Sequence, residues 1–212
     1  LLASGIRWVR NTPEMTAASS IRQSNQGQYA LHLALHSNAA PELESGLRQG
    51  AEVYYSPGSQ QGLWAAQLIA QELQEIYPYP WLVRVLSTTS LGEVSKTKAP
   101  AVLVEFAYHD NPEDAAWIRA NIPQMAEAVA RAVTRYFGLP LVQPQPPRQG
   151  MVQVQGGALN IRQKPDRSSP VVARAQNHTP ITVNGQWQGW DTVNYRGKVG
   201  FADGRYIRLP EE

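Results

Sequence analysis

Alternation with period two opens the clearest early segment, Leu31-His32-Leu33-Ala34-Leu35-His36, and predicts a strand. Val53-Tyr54-Tyr55 is a second, closed by Ser56-Pro57-Gly58, and Ile6-Arg7-Trp8-Val9 a short third. After Pro100, Ala101-Val102-Leu103-Val104 runs apolar without a break, as a strand buried on both faces does. Between these strands the period changes to that of a helix. Ala65, Leu68, Ile69, Leu73 and Ile76 share one face of a helix over 60–77, and a short helix is expected around Ala17–Asn25. Asn111-Pro112-Glu113-Asp114 combines an N-cap, proline at the first helical position and acid in the first turn. Pro123 restarts the helix, and Ala126, Val129, Val133 and Phe137 recur on one face until Gly138 stops it. Leu1-Leu2-Ala3-Ser4-Gly5 reads as the last turn of a helix with glycine at its end, so the sequence is expected to begin inside a domain. Strands alternating with helices predict an α/β domain with a mostly parallel or mixed sheet flanked by helices.

That pattern ends near residue 138. Residues 139–149 hold four prolines and no periodicity, which predicts a semi-rigid linker. Beyond it, Val152–Val154, Leu159–Arg162, Val171–Ala173, Ile181–Val183, Trp190–Val193 and Lys198–Phe201 are short strands between Gly, Asn, Asp and Pro turns. About 60 residues of this kind predict a small all-β closed barrel. The expected organisation is therefore an α/β domain over 1–138, a linker over 139–149 and the barrel over 150–212.

Composition narrows the chemistry. Cysteine is absent, which excludes disulfides, thiol nucleophiles and Cys-based zinc sites and leaves His, Asp and Glu as metal donors. The net charge of +2 is unevenly placed. Residues 1–140 carry 10 Lys/Arg against 12 Asp/Glu, a balance of −2, and residues 141–212 carry 9 against 5, a balance of +4. A basic small domain favours a polyanionic partner. Nucleic acid is not expected, because no dense basic run with interleaved aromatics occurs. No apolar run approaches the roughly 18 residues of a membrane span.

Two residues stand out. His36 and Glu105 both lie at the carboxyl ends of expected strands, where sites form in open α/β sheets. Glu105 is the only charge in Ala101–Tyr108, and a carboxylate in an apolar strand needs a cation, a metal or a proton. His32 and His36 have a His-x-x-x-His spacing, but on a strand they stand roughly 13 Å apart, too far to share an ion. His32 is thus expected to be structural or to line the sheet face near the site. His109, four residues after Glu105, is read as an exposed loop histidine within reach of a ligand in the cleft. His178 falls in the barrel.

Leu33-Ala34-Leu35-His36-Ser37-Asn38-Ala39, Gly50-Ala51-Glu52-Val53-Tyr54-Tyr55, Pro100-Ala101-Val102-Leu103-Val104-Glu105 and Asn111-Pro112-Glu113-Asp114 occur in order over more than 100 residues, with Arg22 and Asn25 before them. In these stretches residues 1–140 resemble the zinc-dependent N-acetylmuramoyl-L-alanine amidases of the type-3 family. The resemblance implies a Zn²⁺ cofactor, His36 as a metal ligand and Glu105 as the catalytic glutamate, with Asn38 and His109 as candidate metal or substrate contacts. It also implies a peptidoglycan substrate, met through glycan strand and stem peptide, and hydrolysis of the amide between the muramic lactyl group and L-alanine by zinc-activated water. A monomer acting in the cell wall after secretion is expected. The family takes its first zinc histidine and its zinc glutamate from a strand and helix that would precede Leu1, so a fragment is expected. The competing reading is an amidase-like wall-binding protein that does not cut; a regulatory partner of other wall hydrolases is a third.

Leu159-Asn160-Ile161-Arg162, Pro165, Gly189-Trp190-Asp191-Thr192-Val193, Gly197-Lys198-Val199-Gly200-Phe201 and Tyr206-Ile207 resemble bacterial SH3 domains, which bind wall peptides or polymers. Trp187, Trp190, Tyr195 and Tyr206 are candidates to line a groove. Trp190 and Phe201 are read as barrel core, Trp187 and Tyr195 as exposed wall contacts.

Overall fold

The computed structural model describes residues 1–210, which form two compact units. One runs from Arg10 to Tyr136; the other gathers Leu1–Val9 with the chain from Phe137 onward.

The first unit is built on β1 (His32–Asn38), β2 (Glu52–Tyr55), β3 (Arg84–Ser87) and β4 (Ala101–Tyr108), in the order β1-β4-β2-β3. β1 runs parallel to β4, β4 antiparallel to β2, and β2 parallel to β3. Strand alternation sorts the side chains onto two faces. Leu33, Val53, Val85, Val102 and Val104 point into the main core, against α2 (Gln60–Gln74), α4 (Pro112–Ala120) and α5 (Ile122–Phe137). Leu68, Ile69, Leu73, Trp117 and Met125 fill that core from the helices. Ala34, Tyr54 and Leu103 point the other way, under Val94 of the short α3 (Gly92–Ser95) and Leu91 just before it. The short helix α1 (Ala17–Gln26) carries Asn25, whose side chain accepts from Lys98 N at 2.7 Å and donates to Lys96 O at 2.8 Å. Those two bonds fix the chain's entry into β4.

Ala101–Val104 is buried on both faces as its unbroken apolar run predicts, and Asn111 caps α4 by accepting from Glu113 N and Asp114 N. The strand expected at Ile6–Val9 does not form; Trp8 and Val9 are exposed and no sheet edge pairs with them among the described residues.

The second unit is one antiparallel sheet of seven strands: β5 (Arg148–Val152), β6 (Ala158–Arg162), β7 (Val171–Gln176), β8 (Pro180–Trp187), β9 (Trp190–Tyr195), β10 (Lys198–Asp203) and β11 (Ile207–Arg208). The ladder order is β11-β5-β8-β9-β10-β6-β7, open between β11 and β7, so the closed barrel expected from the strand spacing is instead an open sheet in an SH3-like unit. All seven strands contribute to one cluster that includes Val152, Ile161, Ala175, Ile181, Val193, Ala202 and Ile207. β5 begins at Arg148, inside the segment expected as linker.

Residues 1–5 do form a helical turn, Leu2–Ser4, ended by Gly5 at φ 81°, but that turn belongs to this unit. Phe201 is fully buried without joining the central cluster. Its cross-strand neighbours on β9 and, through Thr192, on β8 are Thr192 and Gly185, on the sheet's other face. A Cβ on Gly5 would sit 2.6 Å from the Phe201 ring, and one on Gly185 would sit 2.7 Å from Ala3 O. Ser4 Oγ accepts from Val142 N at 2.9 Å. The first turn and the proline-rich stretch therefore cover the outer face of the sheet.

Candidate functional site

The register of the four-stranded sheet places one polar row across its α3-side face. His36 stands beside Glu105, Glu105 beside Glu52, and Glu52 beside Arg84. The adjoining row, Ala34, Leu103, Tyr54 and Leu86, is apolar apart from the tyrosine hydroxyl. Alternation along each strand dictates this: moving two residues from Ala34, Leu103, Tyr54 and Leu86 reaches the polar row on the same face. His36 and Glu105 thus meet in the carboxyl halves of two parallel strands, although β4 runs on to Tyr108, three residues past the strand end expected at Glu105.

Glu105 has the environment that its position in an apolar strand implies. Its Oε2 is buried and has no hydrogen-bond partner. Burial holds its carboxyl above the usual glutamate range; the neighbouring His36 and His109 side chains oppose that shift and Glu52 adds to it. Among the described residues no arginine or backbone amide caps it.

Glu52 is the contrasting carboxylate. It is buried, and it accepts from Arg84 Nη2, from Tyr54 OH at 2.5 Å, from Asn38 Nδ2 at 3.1 Å and from Tyr108 OH at 3.3 Å. Burial and the Glu52 bond push the Tyr54 phenol far up, so it stays a donor. Asn38 is therefore committed to Glu52, with its Oδ1 accepting from Ala39 N.

His36 Nε2 lies 3.0 Å from Glu93 Oε2, and His32 Nε2 lies 3.9 Å from Glu93 Oε1. The two histidines are far apart at their backbones, yet both rings lean toward one carboxylate presented by α3. His32 Nδ1 pairs with Ser24 Oγ at 3.1 Å, and burial lowers its pKa, so it is held neutral and structural. His109 Nδ1 lies 3.0 Å from Ser37 Oγ, and its backbone N–H donates to Asn38 O at 2.8 Å, which ties the loop after β4 to the end of β1. Beside His36, a shallow depression of about 460 Å³ is lined by Leu35, Ser37, Phe106 and Ile118.

His36 has the donor chemistry of a zinc ligand, and Glu105 Oε2 is a buried, unpartnered carboxyl oxygen beside it. A catalytic zinc site takes three protein ligands. Among the described residues no cluster of three or more His, Asp or Glu is placed to hold an ion. The described residues alone do not complete the donor set.

Sequence reasoning missed Glu52, Arg84 and Glu93. Glu52 and Arg84 were lone charges within or beside an apolar run, the same signal that picked out Glu105, whereas Glu93, between Gly92 and Val94, gave no such signal. Arg84 sits between Val83 and Val85, and β3 and α3 were not anticipated at all.

In the second unit, Trp187 pairs with Trp190 across the tip of the β8–β9 hairpin, where Gln188 and Gly189 turn the chain. Trp187 is part-exposed and Tyr206 is 40% exposed. Tyr195, expected to be exposed, is 6% exposed and belongs to the central cluster, because its strand position has the same parity as Val193.

The sequence of residues 5–135 matches the profile of the N-acetylmuramoyl-L-alanine amidase family, and residues 157–208 match that of the bacterial SH3 domain. No curated protein matches the chain. Among solved structures it is similar to an N-acetylmuramoyl-L-alanine amidase from Clostridium difficile 630, at 17% identity over 58% of this chain and 66% of that one, with a TM-score of 0.51. It is similar to the amidase Ami1 from Mycobacterium smegmatis, at 18% identity over 62% and 65%, TM-score 0.50. The CwlD amidase from Clostridioides difficile, solved with the GerS lipoprotein, matches at 17% identity over 55% and 59%, TM-score 0.51. At these identities the likeness is one of fold, and the chain spans less than two thirds of each solved chain.

Proposed function

Because the chain belongs to the N-acetylmuramoyl-L-alanine amidase family, we propose that it hydrolyses the amide joining N-acetylmuramic acid to the L-alanine of the peptidoglycan stem peptide, acting in the cell wall outside the membrane. The observation that carries this reading is the buried, unpartnered Oε2 of Glu105 beside His36, in the carboxyl halves of β4 and β1.

Amide hydrolysis needs a base to draw a proton from water and an acid to protonate the leaving nitrogen. Glu105 has the free oxygen for the first task, and burial raises its proton affinity toward the range in which it can perform the second. His36, held by Glu93, would serve as a metal ligand on this sheet, and zinc when bound would polarise the carbonyl and acidify water. Glu52 accepts from four donors and fixes Asn38 and the β1 end. The part-exposed Trp187 and the exposed Tyr206 would supply ring surface through which the SH3 unit holds the wall.

The test is clearance of purified peptidoglycan suspensions by the protein, with and without chelator, beside Glu105→Gln. Clearance lost in both treatments supports the reading. Clearance that withstands both would falsify it.

A further inference from the structure

Arg84 is the far end of the polar row, and it is not spent on its neighbour. Its Nη2 donates to Glu52 Oε1, yet its side chain is 54% exposed and its remaining nitrogens meet no acceptor among the described residues. Glu52, by contrast, is 5% exposed and draws three further donors from Tyr54, Tyr108 and Asn38. One edge of the guanidinium is thus anchored to a buried anion while the other faces solvent. A guanidinium fixed in this way is a prepared site for a carboxylate, which it binds through two parallel N–H donors.

Distance selects which carboxylate. Adjacent strands lie about 4.8 Å apart, so Arg84 stands two strands, or roughly 10 Å, from Glu105. A substrate whose scissile amide sits over His36 and Glu105 continues with L-alanine and then a second stem residue. That residue is a D-glutamate linked through its side chain, so its α-carboxyl is free unless the wall amidates it. One extended residue and the start of the next span about 7 Å, and the arginine side chain covers the remainder.

We propose that Arg84, held by Glu52 at the end of the His36–Glu105–Glu52–Arg84 row, is the subsite for the free α-carboxylate of the second stem-peptide residue, and so sets a preference for non-amidated peptidoglycan. This rests on the amidase reading for the placement of the scissile bond.

The test is calorimetric binding to the full chain carrying Glu105→Gln, which prevents cleavage. The two probes are N-acetylmuramoyl-L-alanyl-D-glutamate and its amidated counterpart, N-acetylmuramoyl-L-alanyl-D-isoglutamine. The expected result is at least tenfold tighter binding of the free acid. Adding Arg84→Gln brings the ratio close to one while the amidated probe is unaffected, and Arg84→Lys retains part of the preference. The comparison of the two probes in the first protein needs no change at Arg84, so poor folding of the variants does not block it. Equal affinity for both probes, no binding of either, or a preference that survives Arg84→Gln overturns the proposal. A preference that holds in a protein that clears no peptidoglycan overturns the amidase reading alone.

Discussion

Glu105 has one oxygen with no partner, and the neighbouring charges that act on it pull in opposite directions. Burial is the largest influence and raises its proton affinity above that of an unfolded-chain glutamate. The folded protein therefore holds this proton more tightly than the unfolded chain does. Stability falls as pH rises from the unfolded glutamate value, near 4.3, through the raised folded value, and the cost is full above it. Glu105→Gln is expected to raise the melting temperature by about 2 °C at pH 7.5 in chelator, with the gain shrinking toward pH 4. The same change should lower the rate by roughly 10²–10⁴. Glu52→Gln removes a charge that raises the Glu105 pKa, so the acid limb of the pH–rate profile should move to lower pH, read from kcat/KM across pH 4–8. An unmoved limb would separate that limb from Glu105. His36 and Glu105 were legible in the sequence because each closes an apolar run, Leu33–Leu35 and Ala101–Val104. Glu52 and Arg84 gave the same kind of signal, but only the strand register shows that they continue the row.

Elements position this site through side chains that bond backbone. Asp114, in the first turn of α4, is buried and accepts from Tyr77 OH at 2.5 Å, Tyr108 N at 3.0 Å and Gly50 N at 3.1 Å. It ties the ends of β4 and the approach to β2 to one helix start. Asp114→Ala leaves three donors without an acceptor, and at about 1 kcal/mol or more for each the loss should reach about 3 kcal/mol. Urea unfolding of the variant checks this. Asn111→Ala, which removes the cap together with the 2.8 Å bond from Nδ2 to Gly46 O, should cost about 1–2 kcal/mol. This junction was readable from Asn111-Pro112-Glu113-Asp114, whose cap and proline are local chemistry. β3 and α3 were not readable, because four-residue elements show too little periodicity. Their stability comes from packing, Val85 into the main core and Val94 onto Leu103. α3 matters most among the missed elements, since it presents Glu93 to His36.

At the scale of the whole chain, the two units have separate cores that share no residue. The change from helical to strand periodicity falls near residue 138, and the two family matches lie on either side of it. Nothing local in Leu1–Gly5 tells a helix end in one unit from a covering turn on the other; the contact that decides it joins residues almost 200 positions apart. Gly5→Val should destabilise the SH3 unit, because its backbone favours glycine and its Cβ would meet the Phe201 ring. Calorimetry is expected to show one transition lowered by several degrees and the other unmoved, and two transitions lowered together would contradict independent cores.

The central claim is that Glu105 and its row serve the cleavage of one particular bond. Its most direct test is the chemical identity of the ends created in digested peptidoglycan. Amino-terminal labelling of the digest should reveal new L-alanine termini with the unchanged protein and background levels with Glu105→Gln. New reducing sugar ends, new termini from any other stem residue, or L-alanine termini released equally by the variant would contradict it.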